Sequence, residues 1–229
     1  MKQTIRRLRS LLRAAVGRDV FVRVDARLRC ESFGAANAPW DIVTDELNSD
    51  SVVYSFGVGE DASFDMQLIE RFNLSVHAFD PTPKSIEWVQ RQNLPEKFIL
   101  HEYGVADFDG TVAFYPPENP DHVSHTILNR TSAGREPITV PVKSLRSILH
   151  ELNQDRIDVL KMDIEGAEYD VIRDIFQGDV FPKQILVEFH HRFPGISAAR
   201  TRDSIEAIRA AGYRLFSISA SNEEFCFIR

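Results

Sequence analysis

Four carboxylates follow one apolar segment of the chain within eight residues. The segment "VLKMD" has the pattern of a buried strand, and Asp163, Glu165, Glu168 and Asp170 come at or just after its end. Acidic side chains stabilise the first turn of a helix, so we interpret Glu168 and Asp170 as helix-start residues. Ligands bind beyond the carboxyl ends of strands in α/β sheets, so we predict Asp163 as a catalytic residue. Glu165 is either a capping group or a substrate contact.

Two histidines, His190 and His191, lie at the end of the next predicted strand, "KQILVEFH" (183–190). Alternation along a strand places Glu188 and His190 on one face, and the strand end opens on the same crevice as Asp163. A neutral imidazole near pH 7 can take a proton from a hydroxyl, so we predict His190, rather than His191, as a general base that Asp163 orients. The alternative is an exposed loop, or a histidine bonded to a backbone carbonyl.

Two further interpretations of these residues stay open. Lys161 lies two residues before Asp163, so the two side chains could simply pair. Asp163, Glu165 and His190 could instead supply oxygen and nitrogen ligands to a divalent metal that lowers the pKa of a hydroxyl. Their spacing is not compelling as a ligand motif, and we therefore predict no metal ligand.

A glycine turn follows the first predicted strand of the alternating region. "FGVGEDA" contains Gly57-x-Gly59-x-x-Ala62, precedes a helical pattern, and is followed by Asp80 at the end of the next strand. This order is typical of a nucleotide-cofactor site, in which an acid accepts hydrogen bonds from the ribose hydroxyls. The alternative is a tight turn, with Asp80 as a cap of the following segment.

Charge favours one cofactor over another at this turn. A dinucleotide would place its pyrophosphate beside Glu60 and Asp61, and no compensating Lys or Arg is near in the sequence. S-adenosyl-L-methionine carries a sulfonium, an ammonium and a carboxylate instead of phosphates. We therefore predict S-adenosyl-L-methionine, with Glu60 among the cofactor-binding residues, and NAD as the alternative.

The elements that must position these residues alternate between strand and helix patterns from residue 51 onward. Such alternation predicts an α/β fold with a doubly wound, mostly parallel sheet. The last two strands, "YRLFSISA" and "EEFCFIR", are joined by "SNE", which is too short for a crossover and predicts a C-terminal antiparallel hairpin. "KFILHEYGV" (97–105) is predicted as one strand, and residues 116–137 as a long loop of the kind that covers or binds ligands.

The chain of 229 residues suits one well-buried domain, which we place at 51–229 after an arm and lead-in at 1–50. Residues 1–30 hold nine Lys/Arg and two acids, a net charge of +7, whereas the remaining 18 basic and 32 acidic residues carry −14. An acidic body repels phosphates, so we expect no nucleic-acid partner.

The basic arm has its own pattern. Apolar residues from Ile5 to Val16 fall on one helical face with arginines around the rest, which predicts a helix over residues 1–18 that contacts its own domain or a second subunit of a homo-oligomer. Peripheral membrane contact is the alternative. We interpret Cys30 and Cys226 as two reduced thiols. The sequence shows no signal-peptide pattern and no apolar run of about 20 residues. We therefore expect a cytoplasmic protein.

Several blocks together resemble the FkbM-type S-adenosylmethionine-dependent methyltransferases. They are "VVYSFGVGEDASFD", "VHAFDPTPKSIEWV", "EYGVADFDGTVAFY", "VPVKSLRSIL" and above all "IDVLKMDIEGAEYDVI". The resemblance runs from about Ser51 to the C-terminus and implies a class I Rossmann-like fold and methylation of a hydroxyl on a sugar or another secondary metabolite.

The resemblance also implies roles for individual residues. Gly57 and Gly59 would bind the methionine end of the cofactor, Asp80 the ribose, and Asp107, after the third strand, would lie near the adenine. Many members carry an "IGANIG"-like loop where this chain has "FGVGEDA". We therefore expect an O-methyltransferase of a small, polar, hydroxylated acceptor. An NAD-dependent oxidoreductase and a non-catalytic Rossmann-like binding module are the alternatives.

Overall fold

The computed structural model describes residues 19–115 and 136–229. The described strands are β1 (Glu31–Phe33), β2 (Trp40–Ile42), β3 (Val52–Phe56), β4 (Ser75–Phe79), β5 (Phe98–His101), β6 (Gly104–Ala106), β7 (Gly110–Phe114), β8 (Ile138–Ser144), β9 (Val159–Met162), β10 (Gln184–Glu188), β11 (Arg214–Ile218) and β12 (Glu224–Ile228). The described helices are α1 (Ser63–Phe72), α2 (Pro83–Arg91), α3 (Leu145–Glu151), α4 (Glu168–Gln177) and α5 (Ala198–Ala210).

A seven-stranded sheet of order β11-β12-β10-β9-β3-β4-β5 forms the centre. Strands β10, β9, β3, β4 and β5 run parallel to one another, whereas β12 is antiparallel to both β10 and β11. This confirms the doubly wound, mostly parallel sheet and the C-terminal antiparallel hairpin. Phe56 pairs with Met162, and Met162 with Val187, so three strands end side by side and bring the residues that follow them together.

Side chains that alternate along the strands pack into two separate hydrophobic cores, one on each face of the sheet. Tyr54 and Leu160 point to the face covered by α3, α4 and α5, whereas Val53 and Val159 point to the face covered by α1, α2 and the β1–β2 hairpin. Both faces of a parallel sheet are therefore buried, as its near-continuous apolar strands predict. The polar residues of the site have to lie beyond the strand ends.

The single strand predicted over 97–105 is wrong, because the chain bends at Glu102 and Tyr103 and continues in another sheet. Strand β5 pairs with β4, whereas β6 pairs with β8 in a three-stranded sheet of order β6-β8-β7. A Cβ added at Gly104 would lie 3.2 Å from Pro81, so the glycine lets β6 pass close to the end of β4. The small sheet thereby reaches the carboxyl ends of the main strands.

Residues 19–50, the described part of the N-terminal segment, pack on the sheet. Trp40 and Ile42 are buried in the core, and the Gln184 side chain exchanges two hydrogen bonds with the backbone of Val43. The domain boundary at residue 50 stays a prediction. The predicted helix over 1–18 and most of the 116–137 loop lie outside the described residues. Within the described ranges, no helix has the length and apolar character to cross a bilayer.

Candidate active site

The glycine turn lies where β3 and β9 end against each other. Gly57 has φ +86° and Gly59 has φ +57°, both in the left-handed region that favours glycine. A Cβ added at Gly57 would lie 1.9 Å from the carbonyl oxygen of Asp163, whereas one at Gly59 would meet no atom within 4 Å. The close approach of two backbones therefore requires Gly57, and the open space beside Gly59 faces a pocket.

Asp80 holds this turn in place. Its Oδ2 accepts hydrogen bonds from the backbone N–H groups of Val58 (3.0 Å) and Gly59 (2.9 Å), and its Oδ1 accepts one from Thr82 (2.9 Å). The residue is 5% exposed. Asp80 thus caps the segment that follows it, as in the alternative interpretation, whereas its contacts with the glycine turn were not predicted. It also borders the pocket. Its contact with a ribose stays a prediction.

A pocket opens between the glycine turn, the ends of β4 and β9, and the three-stranded sheet. Its acidic lining residues are Asp80, Asp107, Asp163, Glu165 and Asp170, and apolar walls come from residues such as Phe56, Phe79 and Val142. Among the described lining residues there is no Lys or Arg. The pocket therefore suits a ligand that carries positive charge and an apolar or aromatic body.

Glu60 lies at the edge of the turn and does not line this pocket. Its Oε1 lies 3.7 Å from the Nζ atom of Lys84, which comes from the first turn of α2. The sequence argument that no basic residue lies nearby was wrong here, because the fold brings together two residues that lie 24 positions apart. Asp61 accepts a hydrogen bond from the backbone of Ser63 (2.8 Å).

Asp107 follows β6 at the other end of the pocket, where the resemblance implies the adenine. Its Oδ2 lies 3.8 Å from the Nη2 atom of Arg173, at the edge of the ion-pair range. Both side chains are substantially exposed, so this pair leaves the carboxylate accessible from the pocket.

His190 is fixed by an acid that the sequence analysis had assigned only to the start of a helix. Glu168 is fully buried, and its Oε1 lies 3.1 Å from Nδ1 of His190 and accepts a hydrogen bond from the His190 backbone N–H (2.9 Å). Its Oε2 accepts one from the N–H of Gly166 (2.8 Å). Helical spacing could have revealed this role, because Glu168 shares the buried stripe of Ile172 and Ile175.

The other ring nitrogen of His190 faces three carboxylates. Nε2 lies 3.6 Å from Asp163, 3.7 Å from Glu165 and 3.9 Å from Glu188, all beyond hydrogen-bond distance. The prediction that His190 and Asp163 lie close together is therefore confirmed. Asp163 and Glu165 border the pocket, whereas the His190 ring lies behind them and does not line it.

The electrostatics of this group differ from the expectation of a neutral imidazole. Burial by itself lowers the pKa of His190, but the hydrogen bond and charge of Glu168, followed by the charges of the acids that face Nε2, raise the pKa to about 10. Burial and the negative charge of Asp163 also raise the pKa of Glu188. An imidazole in this setting holds its proton at pH 7, which argues against the neutral base that the sequence analysis assumed.

The neighbouring basic residues are engaged elsewhere. Lys161 donates from Nζ to the carbonyl of Gly57 (3.1 Å) and lies over the Trp40 ring, rather than pairing with Asp163. His191 is buried with its Nε2 atom 2.8 Å from Oδ1 of Asp19, so it points away from the pocket, as predicted.

The order of the main sheet, the glycine turn and the acidic pocket at the strand ends define a Rossmann-like methyltransferase domain. A model of the family described as "Methyltransferase FkbM domain" matches residues 52–215, and the chain belongs to the FkbM methyltransferase family. The resemblance found in the sequence is confirmed.

Curated relatives and a solved structure agree with this assignment. The chain is 27% identical over 178 residues to human "probable methyltransferase-like protein 24", covering 73% of this chain and 42% of that protein. The rat protein of the same name is 26% identical over 182 residues, covering 75% and 44%. The chain thus spans less than half the length of these relatives.

The crystal structure of methyltransferase FkbM from Methylobacillus flagellatus KT matches with a TM-score of 0.51 at 14% identity, over 80% of this chain and 44% of that one. At that identity the likeness shows the fold alone.

Proposed function

We propose that this methyltransferase uses S-adenosyl-L-methionine to methylate a hydroxyl of a small, polar acceptor such as a sugar or another secondary metabolite. The acidic pocket carries the proposal. Its described lining holds five carboxylates and no basic side chain, which suits a ligand with a sulfonium and an ammonium and disfavours a pyrophosphate.

The residues present fit such a cofactor. The turn at Gly57 and Gly59 offers open space beside left-handed backbone, where the methionine end of the cofactor would lie. Asp80 and Asp107 border the same pocket and would contact the ribose and the adenine, and Glu60, at its edge, would add negative charge near the methionine end. The Phe79 ring supplies an apolar wall.

When bound, S-adenosyl-L-methionine would supply a methyl group on a positively charged sulfur; the S–CH3 bond would break as the C–O bond forms, leaving the neutral thioether S-adenosyl-L-homocysteine, and the acceptor hydroxyl would lose its proton. In this chain, Asp163 would take that proton, because its side chain is 36% exposed at the strand end and borders the pocket. His190 then acts as a positioning residue, which is held by Glu168 and faces the Asp163 carboxylate from behind.

Calorimetry tests the cofactor. We expect the full chain to bind S-adenosyl-L-methionine, and we expect no binding of NAD at the same concentrations. Binding of NAD alone would refute the cofactor proposal, and binding of neither would favour a non-catalytic module.

Transfer of a labelled methyl group from the cofactor to a panel of hydroxylated metabolites tests the reaction. We expect Asp163→Asn to lower single-turnover transfer, measured at saturating cofactor, about 100-fold or more. If this variant retains wild-type transfer between pH 6 and 9, Asp163 does not take the proton.

A further inference from the structure

We propose that Asp163, Glu165 and His190 bind one divalent cation at the edge of the pocket. The inference deepens the proposed function, because the cation would lie at the acceptor end of the same site. The binding itself requires neither cofactor nor acceptor, and it can therefore be tested on its own.

The geometry of the three side chains suits a shared ion. One ligand atom from each lies within 4.8 Å of the others, and Nε2 of His190 is 3.6 Å from Asp163 Oδ1 and 3.7 Å from Glu165 Oε2. Ligand atoms that lie about 2.0–2.2 Å from one metal are roughly 3 to 4.3 Å apart. These separations are too long for hydrogen bonds and match those of atoms around a common cation.

The buried histidine is the second observation. Its side chain is 7% exposed, its Nδ1 is fixed by the Glu168 carboxylate, and its Nε2 is aimed at the two pocket acids. A histidine that ligates a metal with one ring nitrogen usually has the other nitrogen oriented by a carboxylate or a carbonyl. The Glu168–His190 pair has that arrangement, with Nε2 turned toward the pocket. Binding of a cation would displace the proton that Nε2 holds in the metal-free chain.

The backbone between Asp163 and α4 is shaped to turn Glu165 back toward the strand end. Glu165 has φ +52° and Gly166 has φ +105°, so two successive residues are in the left-handed region. A non-glycine residue there costs about 1–3 kcal/mol and is found where the surrounding structure imposes it, often at functional sites. The hydrogen bond from Gly166 to Glu168 closes this turn.

The local charge also calls for a cation. Four carboxylates surround the one imidazole, at 3.1 Å from Glu168 and at 3.6 to 3.9 Å from the other three. The basic side chain nearest in sequence, Lys161, donates to the Gly57 carbonyl instead. A divalent ion would offset this negative charge.

The ligand set indicates the kind of ion. Two carboxylate oxygens favour Mg2+ and Mn2+, and one imidazole nitrogen shifts the preference toward Mn2+ or another first-row metal. Because Asp163 and Glu165 border the pocket, an acceptor oxygen could complete the coordination, and the ion would then make that hydroxyl more acidic.

Titration of chelator-treated full-length chain with Mn2+, followed by electron paramagnetic resonance, tests the proposal. We expect one Mn2+ per chain, with affinity at least tenfold weaker in Asp163→Asn, Glu165→Gln and His190→Gln. Glu206→Gln is the matched control, since this exposed acid of α5 pairs with Arg209 and does not line the pocket, and the Mn2+ affinity of this variant should be unchanged. Circular dichroism and a thermal melt verify that each variant is folded.

Two results would overturn the proposal. One is the absence of stoichiometric Mn2+ binding to the wild-type chain, and the other is unchanged binding to the variant that combines all three substitutions. A failure of the proposed function can be distinguished from a failure of this proposal. In that case S-adenosyl-L-methionine would not bind to the chain, whereas the titration would still show whether Mn2+ binds. If both ligands bind, the cation's role in the reaction can be tested directly. Loss of methyl transfer on addition of chelator, and its recovery on addition of Mn2+, would support that role.

Discussion

Gly57 is the residue on which the geometry of the pocket depends most directly. Its backbone passes so close to the Asp163 carbonyl that even one methyl group has no room, and its φ of +86° is unfavourable for other residues. Gly59 shares the left-handed conformation but has free space around it. Comparing substitutions at Gly57 and Gly59 therefore separates the effect of steric overlap from that of backbone conformation.

We expect Gly57→Ala to lower the free energy of unfolding by about 3 kcal/mol or more, because overpacking adds to the left-handed strain. Gly59→Ala should cost only about 1–2 kcal/mol, since the strain acts alone. Urea unfolding of the two variants without cofactor measures the difference. Equal losses would mean that β3 and β9 can separate at little cost.

At the scale of single elements, α4 and β10 are joined by the Glu168 side chain. Three backbone or ring N–H groups converge on one carboxylate that has no solvent exposure. Asp170 lies in the same helical turn, but its side chain is 33% exposed and pairs with Arg173 and Arg200. The two acids occupy the same kind of position in the sequence and have different tasks.

Glu168→Ala should lower the free energy of unfolding by about 2–5 kcal/mol, because two buried backbone N–H groups lose their acceptor at about 1–3 kcal/mol each. Glu168→Gln keeps an acceptor and should cost less. Asp170→Ala, the control, should change stability by no more than about 1 kcal/mol. Denaturant titration of the three variants measures these changes. If Glu168→Ala lowers the free energy of unfolding by no more than Asp170→Ala does, Glu168 does not anchor α4 to the end of β10.

The elements were predictable where periodicity and turn chemistry agree. Apolar runs followed by helical patterns predicted the strands that end at Phe56 and Met162. Two apolar runs joined by a short turn predicted the hairpin that ends at Ile228. The break between β5 and β6 was not predicted, because "FILHEYGV" has continuous strand character and the bend depends on the contact between Gly104 and Pro81.

The site was predictable only in part, for a related reason. The sequence indicated that Asp163 and His190 would meet, since both follow adjacent strand ends. It did not indicate the Lys84–Glu60 pair or the role of Glu168, because both depend on how helices pack against the strand ends. Asp163, Glu165 and His190 were considered together as metal ligands in the sequence and set aside, because spacing along the chain does not show that side chains from two separate strand ends converge.

At the scale of the whole molecule, Asp19 connects the start of the described chain to the far end of the sheet. Its carboxylate is fully buried and contacts His191 (2.8 Å), Arg192 (2.8 Å) and the Asn222 side chain (2.8 Å). Burial tends to raise the pKa of Asp19, but the hydrogen bonds from these three side chains together hold it well below its usual range. The lead-in is thus held by charge as well as by apolar packing.

We expect Asp19→Asn to lower the free energy of unfolding by about 3 kcal/mol at pH 7, because it removes the buried carboxylate that His191 and the half-buried Arg192 both contact. Since the pKa is lower in the folded state, the wild-type advantage is complete above about pH 4 and shrinks as the pH falls toward the folded-state value. Urea unfolding of both proteins between pH 7 and pH 2 measures this narrowing gap. Exposed Asp45→Asn should differ little from wild type at any pH.

Strands β7 and β8 belong to the three-stranded sheet and not to the seven-stranded one. Five residue pairs, ending with Phe114 and Ile138, fix their antiparallel register, and residues 115–137 connect them. Doubling the length of such a connection costs only about 0.6 kcal/mol of loop-closure free energy. A change in the length of that connection would therefore leave the register of β3, β4 and β9 unchanged, because those strands are fixed by their own pairings in the other sheet.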